Sequence, residues 1–148
     1  MKNIKLMLQK QLKLTKQAFK QLEIAVLKDH TLDDLYVDAI IKRFEFTYEM
    51  IWKLTKTLMN DVFEQKCYSP RKCFKLLIRL NIFTDKKFLW DMINARNLTS
   101  HTYNIDYALN VLNFIKQNLN KIKNLINNLE LTISSEFEQL IVTKQLFS

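Results

Sequence analysis

The 148-residue chain contains no Gly and a single Pro, Pro70, where average usage would supply roughly ten and seven. Sheets turn through Gly, Asn-Gly, Asp-Gly and Pro, so a β-sandwich or barrel is excluded. A Gly-rich phosphate loop and a dinucleotide-binding fingerprint go with them. Acid is also scarce: 15 Asp and Glu stand against 23 Lys and Arg, a formal charge of +8. No stretch approaches the ~18 apolar residues of a membrane span, and the Lys-studded N-terminus MKNIKLMLQKQLKLTK lacks the apolar run of a signal peptide. Only two Cys are present. Cys67 and Cys73 have no second pair and no nearby His, so no zinc template fits. They read as free thiols of a cytoplasmic protein.

What is present builds helices. The chain is 48% hydrophobic and has ten Phe, enough for a sizeable core. Ile4, Leu8, Leu12, Thr15, Phe19, Leu22 and Val26 recur at helical steps. Seven Lys against one Glu over residues 1–28 make this segment strongly basic, a face that steers nucleic acid or an acidic partner, or simply a solvated one. His30 falls in a break, and Thr31-Leu32-Asp33-Asp34 places an N-cap before a second helix. That helix carries Tyr36, Ile40, Phe44, Thr47, Ile51, Leu54, Leu58 and Val62, and meets no breaker before Gln65. Ser69-Pro70 opens a short helix ending near Asn81, and Thr84-Asp85 opens another. A last long helix starts near Asp106 with Ala108, Val111, Ile115, Leu119, Ile122, Ile126 and Leu129 on one stripe.

These elements predict an all-α, up-and-down bundle of about five helices, three long and two short, over residues 1–130. Residues 131–148 read as a C-terminal tail, in which Ser134-Ser135-Glu136 could cap a short helix.

The chemistry concentrates between the fourth and fifth helices, in Arg96-Asn97-Leu98-Thr99-Ser100-His101-Thr102-Tyr103. Lys is the chain's default cation and only four Arg and two His occur, so Arg96 and His101 are a choice of chemistry rather than of charge. Positions five apart diverge by about 140° on an unbroken helix. The helix must therefore end near Asn97 for both to face one cleft, unless a two-fold dimer brings copies together. One reading makes Arg96 an ion-pair partner and His101 and Tyr103 capping residues. The other makes His101 a general base and acid and Arg96 a bidentate phosphate clamp, a set suited to metal-free RNA cleavage. Phe44, Tyr48, Ile51 and Trp52 read as core or dimer interface. Glu45 and Glu49, near Arg43, read as partners along the helix, and either could reach Arg96.

Arg43-Phe44-Glu45-Phe46-Thr47-Tyr48-Glu49-Met50-Ile51-Trp52-Lys53, then Ser69-Pro70-Arg71, Trp90 and the Arg96–Tyr103 string, resemble the nucleotidyltransferase substrate-binding protein family of the HEPN superfamily. The resemblance covers roughly residues 5–130. It implies an HEPN-like homodimer and matches Arg96 and His101 to the superfamily's Arg-x4–6-His ribonuclease motif, with Asn97 at the polar position after Arg. It matches Tyr103 to the residue that receives AMP in HepT-like toxins, whose antitoxin is a minimal nucleotidyltransferase. Asn104 stands where members often carry an acid. Two roles follow from the resemblance: a metal-independent endoribonuclease of a toxin–antitoxin pair, or a non-catalytic nucleotide- or substrate-binding subunit. The sequence contains no metal-ligand cluster, Ser-His-Asp arrangement or acidic pair for nucleotide-bound magnesium. The expectation is no metal and no resident cofactor, with a nucleotidyltransferase and RNA or a nucleotide as partners and no membrane.

Overall fold

The computed structural model describes the backbone of residues 2–28 and 33–147, with side chains over 3–28 and 33–138. Five α-helices follow in order: α1 (Lys2–Leu27), α2 (Asp34–Thr57), α3 (Pro70–Arg79), α4 (Lys86–Leu98) and α5 (Ile105–Phe147). No strand occurs among the described residues. The expected all-α bundle is thus what forms. No helix is long and apolar enough to cross a membrane among the described residues.

The starts of α2, α3 and α4 are short polar caps, side chains that accept from otherwise unpaired backbone N–H groups of the first turn. Asp33 accepts from Leu35 N at 3.1 Å and opens α2. His30 and Thr31 lie outside the described residues, and the N-cap is Asp33. Ser69 accepts from Lys72 N ahead of Pro70, and Asp85 accepts from Phe88 N. The end of α3 is closed by Asn81, whose φ of 59° takes the left-handed position Gly usually fills. Ile82 N then bonds Leu77 O at 2.9 Å and Asn81 N bonds Ile78 O at 3.1 Å, the paired bonds of a Schellman closure.

Two expectations need correction along α2 and α5. The second helix does not run as α-helix to Gln65: at Leu58–Val62 it widens into a π-helical turn, with Phe63 N bonding Leu58 O. Asn60 explains the widening. Its amide donates to Lys56 O and Cys67 O and accepts from Cys67 N, tying the helix end to the following loop. The last helix does not stop at residue 130 and restart at Ser134. It continues unbroken to Phe147, since no Pro or Gly interrupts it and Leu129 and Ile133 extend its buried stripe.

A third correction concerns the cysteines. Cys67 and Cys73 are not free thiols but a disulfide, with Cα atoms 5.2 Å apart, within the range a bridge requires. The Ser69-Pro70 turn folds the loop back onto the first turn of α3 and brings them together. The pair therefore says nothing for a reducing compartment.

Packing fixes the helices relative to one another. In the α1–α2 pair, Arg43 Nη1 donates to Gln21 O while Gln11 and Lys53 line one cavity farther along, an antiparallel register. At the centre Phe44 of α2 meets Phe114 of α5 edge-on at 6.0 Å, and Phe114 stacks on Phe88 of α4 at 6.1 Å. Tyr48 extends this layer to Phe74 of α3. Outside it, Lys121 pairs with Asp85 at 3.0 Å and Asn128 donates to Ile82 O, fastening α5 to the start of α4.

Phe44 is 1% exposed and touches two layers of the bundle. Phe44→Ala should lower unfolding free energy by about 3–5 kcal/mol, the cost of an unfilled aromatic site. Urea unfolding followed by circular dichroism measures it, with an unchanged m-value expected.

Candidate functional site

The α4–α5 corner departs from regular helix where the chemistry was expected. After Leu98 the chain tightens into a 3-10 turn, Thr99–His101, and passes through Thr102 and Tyr103 before α5 begins. Thr99 makes this corner. Its buried hydroxyl donates to Arg96 O at 2.6 Å and accepts from Arg96 Nη1 at 2.8 Å, so one oxygen holds both ends of the same arginine. Asn104 then accepts from Asp106 N at 2.9 Å and caps α5. The residue that stands in place of an acid thus serves the helix start.

Arg96 is anchored but not saturated. Nη2 lies 4.0 Å from Glu49 Oε1 of α2, an ion pair at the limit of contact. Nε is buried without a hydrogen-bond partner among the described residues. Of the two glutamates expected near Arg96, Glu49 reaches it, whereas Glu45 pairs with Lys42 at 3.6 Å. Arg43 turns the other way, to Gln21 O. The Arg96 side chain is 27% exposed, so its charge is half-desolvated and can act on an incoming anion more strongly than a surface Lys would.

Tyr48 lies beneath this pair. Burial pushes its hydroxyl up to about 12, an effect the Arg96 charge opposes and Glu49 reinforces. It stays protonated at neutral pH.

His101 and Tyr103 occupy the outside of the corner. The imidazole meets the Tyr103 ring edge-on at 6.1 Å and the Tyr107 ring at 6.3 Å. Tyr103 is 87% exposed. Asn97 is exposed on α4 and makes no side-chain hydrogen bond among the described residues. No hydrogen bond joins Arg96 to His101; they are the two ends of one turn bracketed by Thr99. Sequence reasoning missed three contributors: Thr99, Tyr48 and Tyr107. The four-residue step from Tyr103 to Tyr107 was the available sign of the last, and the i,i+3 step from Arg96 to Thr99 of the first. The resembling segments also meet in space elsewhere: the Arg71 guanidinium lies over the Trp90 ring at 4.9 Å.

The family model described as nucleotidyltransferase substrate binding protein like matches residues 10–131, which include α2, Arg71, Trp90 and the whole Arg96–Tyr103 turn. The chain belongs to this family. Within the solved structures, this substrate-binding-family chain resembles a crystal structure of a protein from Thermus thermophilus. The TM-score is 0.66 at 25% identity, covering 80% of this chain and 98% of that one. No functionally curated protein matches it. The family match ends at residue 131, so the distal part of α5 lies beyond the family's common core.

Thr99→Val should release Arg96 from both hydrogen bonds while keeping the side-chain shape. We expect a stability loss of about 1–3 kcal/mol, the range for losing a hydrogen bond to a charged group, measured by thermal unfolding; Arg96 O keeps the bond from Thr99 N. Serine at the same position should recover most of it.

Proposed function

We propose that this substrate-binding-family chain is the helical partner of a minimal nucleotidyltransferase, an HEPN-type protein of a toxin–antitoxin pair, and that its Arg96/His101 corner cleaves RNA without a metal ion. The observation that carries this reading is the corner itself: an arginine pinned by Thr99 with a buried, unpartnered Nε, one turn from an exposed His101 flanked by tyrosines.

In this reading His101 takes the proton of a ribose 2′-OH. The 2′-oxygen bonds to the adjacent phosphorus as the bond from phosphorus to the 5′-oxygen breaks, and the imidazolium returns the proton to that leaving oxygen. The products are a 2′,3′-cyclic phosphate and a 5′-hydroxyl. Arg96 holds the phosphate oxygens and stabilises the charge that grows on them. Asn97, exposed beside Arg96, contacts the substrate. Tyr103 is the acceptor of AMP: its hydroxyl oxygen bonds to the α-phosphorus of ATP, pyrophosphate leaves, and the phenolic proton passes to a base of the nucleotidyltransferase. An adenylyl group on Tyr103, 6.1 Å from the imidazole, would crowd His101 and add negative charge where RNA must dock. That combination silences the site.

A second reading is favoured by Glu49. Its carboxylate is near enough to compete with phosphate for Arg96, which suits a non-catalytic subunit that presents a nucleotide or substrate to the nucleotidyltransferase.

His101→Ala separates the two. A general acid–base role predicts ~10²–10⁴-fold slower cleavage with RNA affinity nearly unchanged, because Lys contacts supply most of it. Cleavage of total RNA by unmodified protein should persist in EDTA. Equal rates in wild type and His101→Ala, or no cleavage across several RNA classes, would remove the enzymatic reading and leave the binding subunit.

Tyr103→Phe tests the acceptor. After co-expression with the cognate nucleotidyltransferase, mass spectrometry should find adenylyl groups on the wild-type peptide and none on the variant. Undiminished modification of Tyr103→Phe would assign the acceptor elsewhere.

A further inference from the structure

The basic side of α1 is a feature that the Arg96 corner does not use. Lys13, Lys16 and Lys20 stand together on it, at helical steps of three and four. With Gln9, Leu12 and Gln17 they wall a groove of about 360 Å³ that Glu130 of α5 closes on its other side. Two contacts lay α5 along α1: Lys16 Nζ meets Glu130 Oε2 at 2.8 Å, and Lys5 lies over the Phe137 ring at 5.6 Å. Lys5 precedes the residues matched by the family model and Phe137 follows them, so this chain's own ends lengthen the groove. Lys116, Lys123 and Glu130 follow at seven-residue steps on one face of α5, which brings two more exposed Lys to this side. Glu23 and Glu130 are the acids on the two facing stripes. Lys13, Lys20 and Lys123 have no ion-pair partner among the described residues.

Like charges one turn apart repel, and a surplus of this kind is complementary to a partner that is anionic along its length. The side chains present decide which partner. Protein interfaces are poor in Lys and are anchored by exposed aromatic, Met and Arg side chains. None of these lines the groove; Leu12 is half-buried, and so is Phe137 beneath Lys5. A nucleic-acid backbone, in contrast, is held by Lys without any apolar anchor. The rise from Lys13 to Lys16 and on to Lys20 is about 4.5 and then 6 Å, so neighbouring phosphates of one strand each meet an ammonium. Gln9 and Gln17, exposed beside them, can donate to phosphate or sugar oxygens. With no exposed ring for a base to stack on, the groove holds the backbone and does not read the sequence.

We propose that the α1–α5 groove binds the phosphate backbone of single-stranded RNA independently of its sequence. Lys13, Lys16 and Lys20 are the phosphate contacts, and Lys123 extends the track. Glu130 occupies Lys16 in the free chain and yields it to an arriving phosphate, so this carboxylate tempers the affinity. The choice of RNA as the strand rests on the reading of the Arg96 corner as an RNA-cleaving site. The groove lies apart from that corner and supplies binding, not chemistry.

Fluorescence anisotropy of a labelled uridine oligonucleotide, titrated with the full chain carrying His101→Ala, reads binding apart from cleavage. Adding Lys13→Glu and Lys20→Glu together should weaken binding at least about tenfold and flatten the slope of log affinity against log salt by about 1.4, two contacts at ~0.7 each for a single strand. Glu130→Gln should tighten binding severalfold by freeing Lys16, an effect that damage to the fold cannot produce. Lys72→Glu with Lys75→Glu makes the same charge change on exposed positions of α3, outside the groove, and should cost less than about threefold because distant charges are screened. Equal losses from the two pairs, or no loss from the groove pair, would overturn the proposal, as would unchanged binding in Glu130→Gln. A polyglutamate peptide that binds more tightly than the oligonucleotide would assign the groove to an acidic protein instead. The two readings fail separately. RNA held by the groove but never cut by wild type removes the corner's chemistry alone, whereas RNA cut by a protein whose groove pair binds normally removes the groove alone.

Discussion

Three phenylalanines from three helices hold this molecule's geometry: Phe44 against Phe114, and Phe114 stacked on Phe88. An interior packed at crystal-like density permits little sliding, so this layer sets how far along each helix every other residue lies. Glu49 stands five residues beyond Phe44, Arg96 eight beyond Phe88, and Tyr107 seven before Phe114. At about 1.5 Å per residue these offsets carry all three to the same end of the bundle. The Arg96–Glu49 approach and the His101–Tyr107 contact are consequences of the aromatic layer, with Thr99 supplying the final local restraint.

The helices themselves were legible because their signals are local and periodic. The apolar stripes of α1 and α2 coincide with the buried residues Leu8, Phe19, Leu22, Ile40, Phe44, Ile51 and Leu54, and the caps at Ser69 and Asp85 fall where short polar side chains precede apolar runs. What escaped was non-periodic. The π-helical turn depends on Asn60 reaching Cys67 seven residues away, which no helical pattern records. The disulfide depends on a loop folded back by the Pro70 turn, and six-residue spacing alone does not reveal it. The fresh start near Ser134 was inferred from polar residues that prove to lie on the solvent side of a continuing helix.

The functional corner was legible in part. The Arg96–Tyr103 string and its family resemblance were visible, and the family match confirms that membership. Of its supporting residues, Glu49 is legible only as one of two glutamates that could reach Arg96, and Tyr48 reads as core, because both come from a helix more than forty residues earlier and a single sequence carries no long-range contacts. The half-buried guanidinium, the protonated Tyr48 beside it and the exposed tyrosine pair around His101 combine a fixed positive centre with an accessible titratable group. In the proposed function such a pairing would act on a phosphate by positioning and charge stabilisation rather than by covalent attack.

The central claim is that Arg96 and His101 act on RNA through attack by the ribose 2′-oxygen. The chemistry of the cut ends tests this most directly. A defined RNA oligonucleotide, incubated with unmodified protein and examined by mass spectrometry, should yield fragments ending in 2′,3′-cyclic phosphate with 5′-hydroxyl partners. A 2′-deoxy substitution at the cut position should abolish that cut. Fragments ending in 3′-hydroxyl and 5′-phosphate, or a cut that survives the 2′-deoxy substitution, would contradict the account.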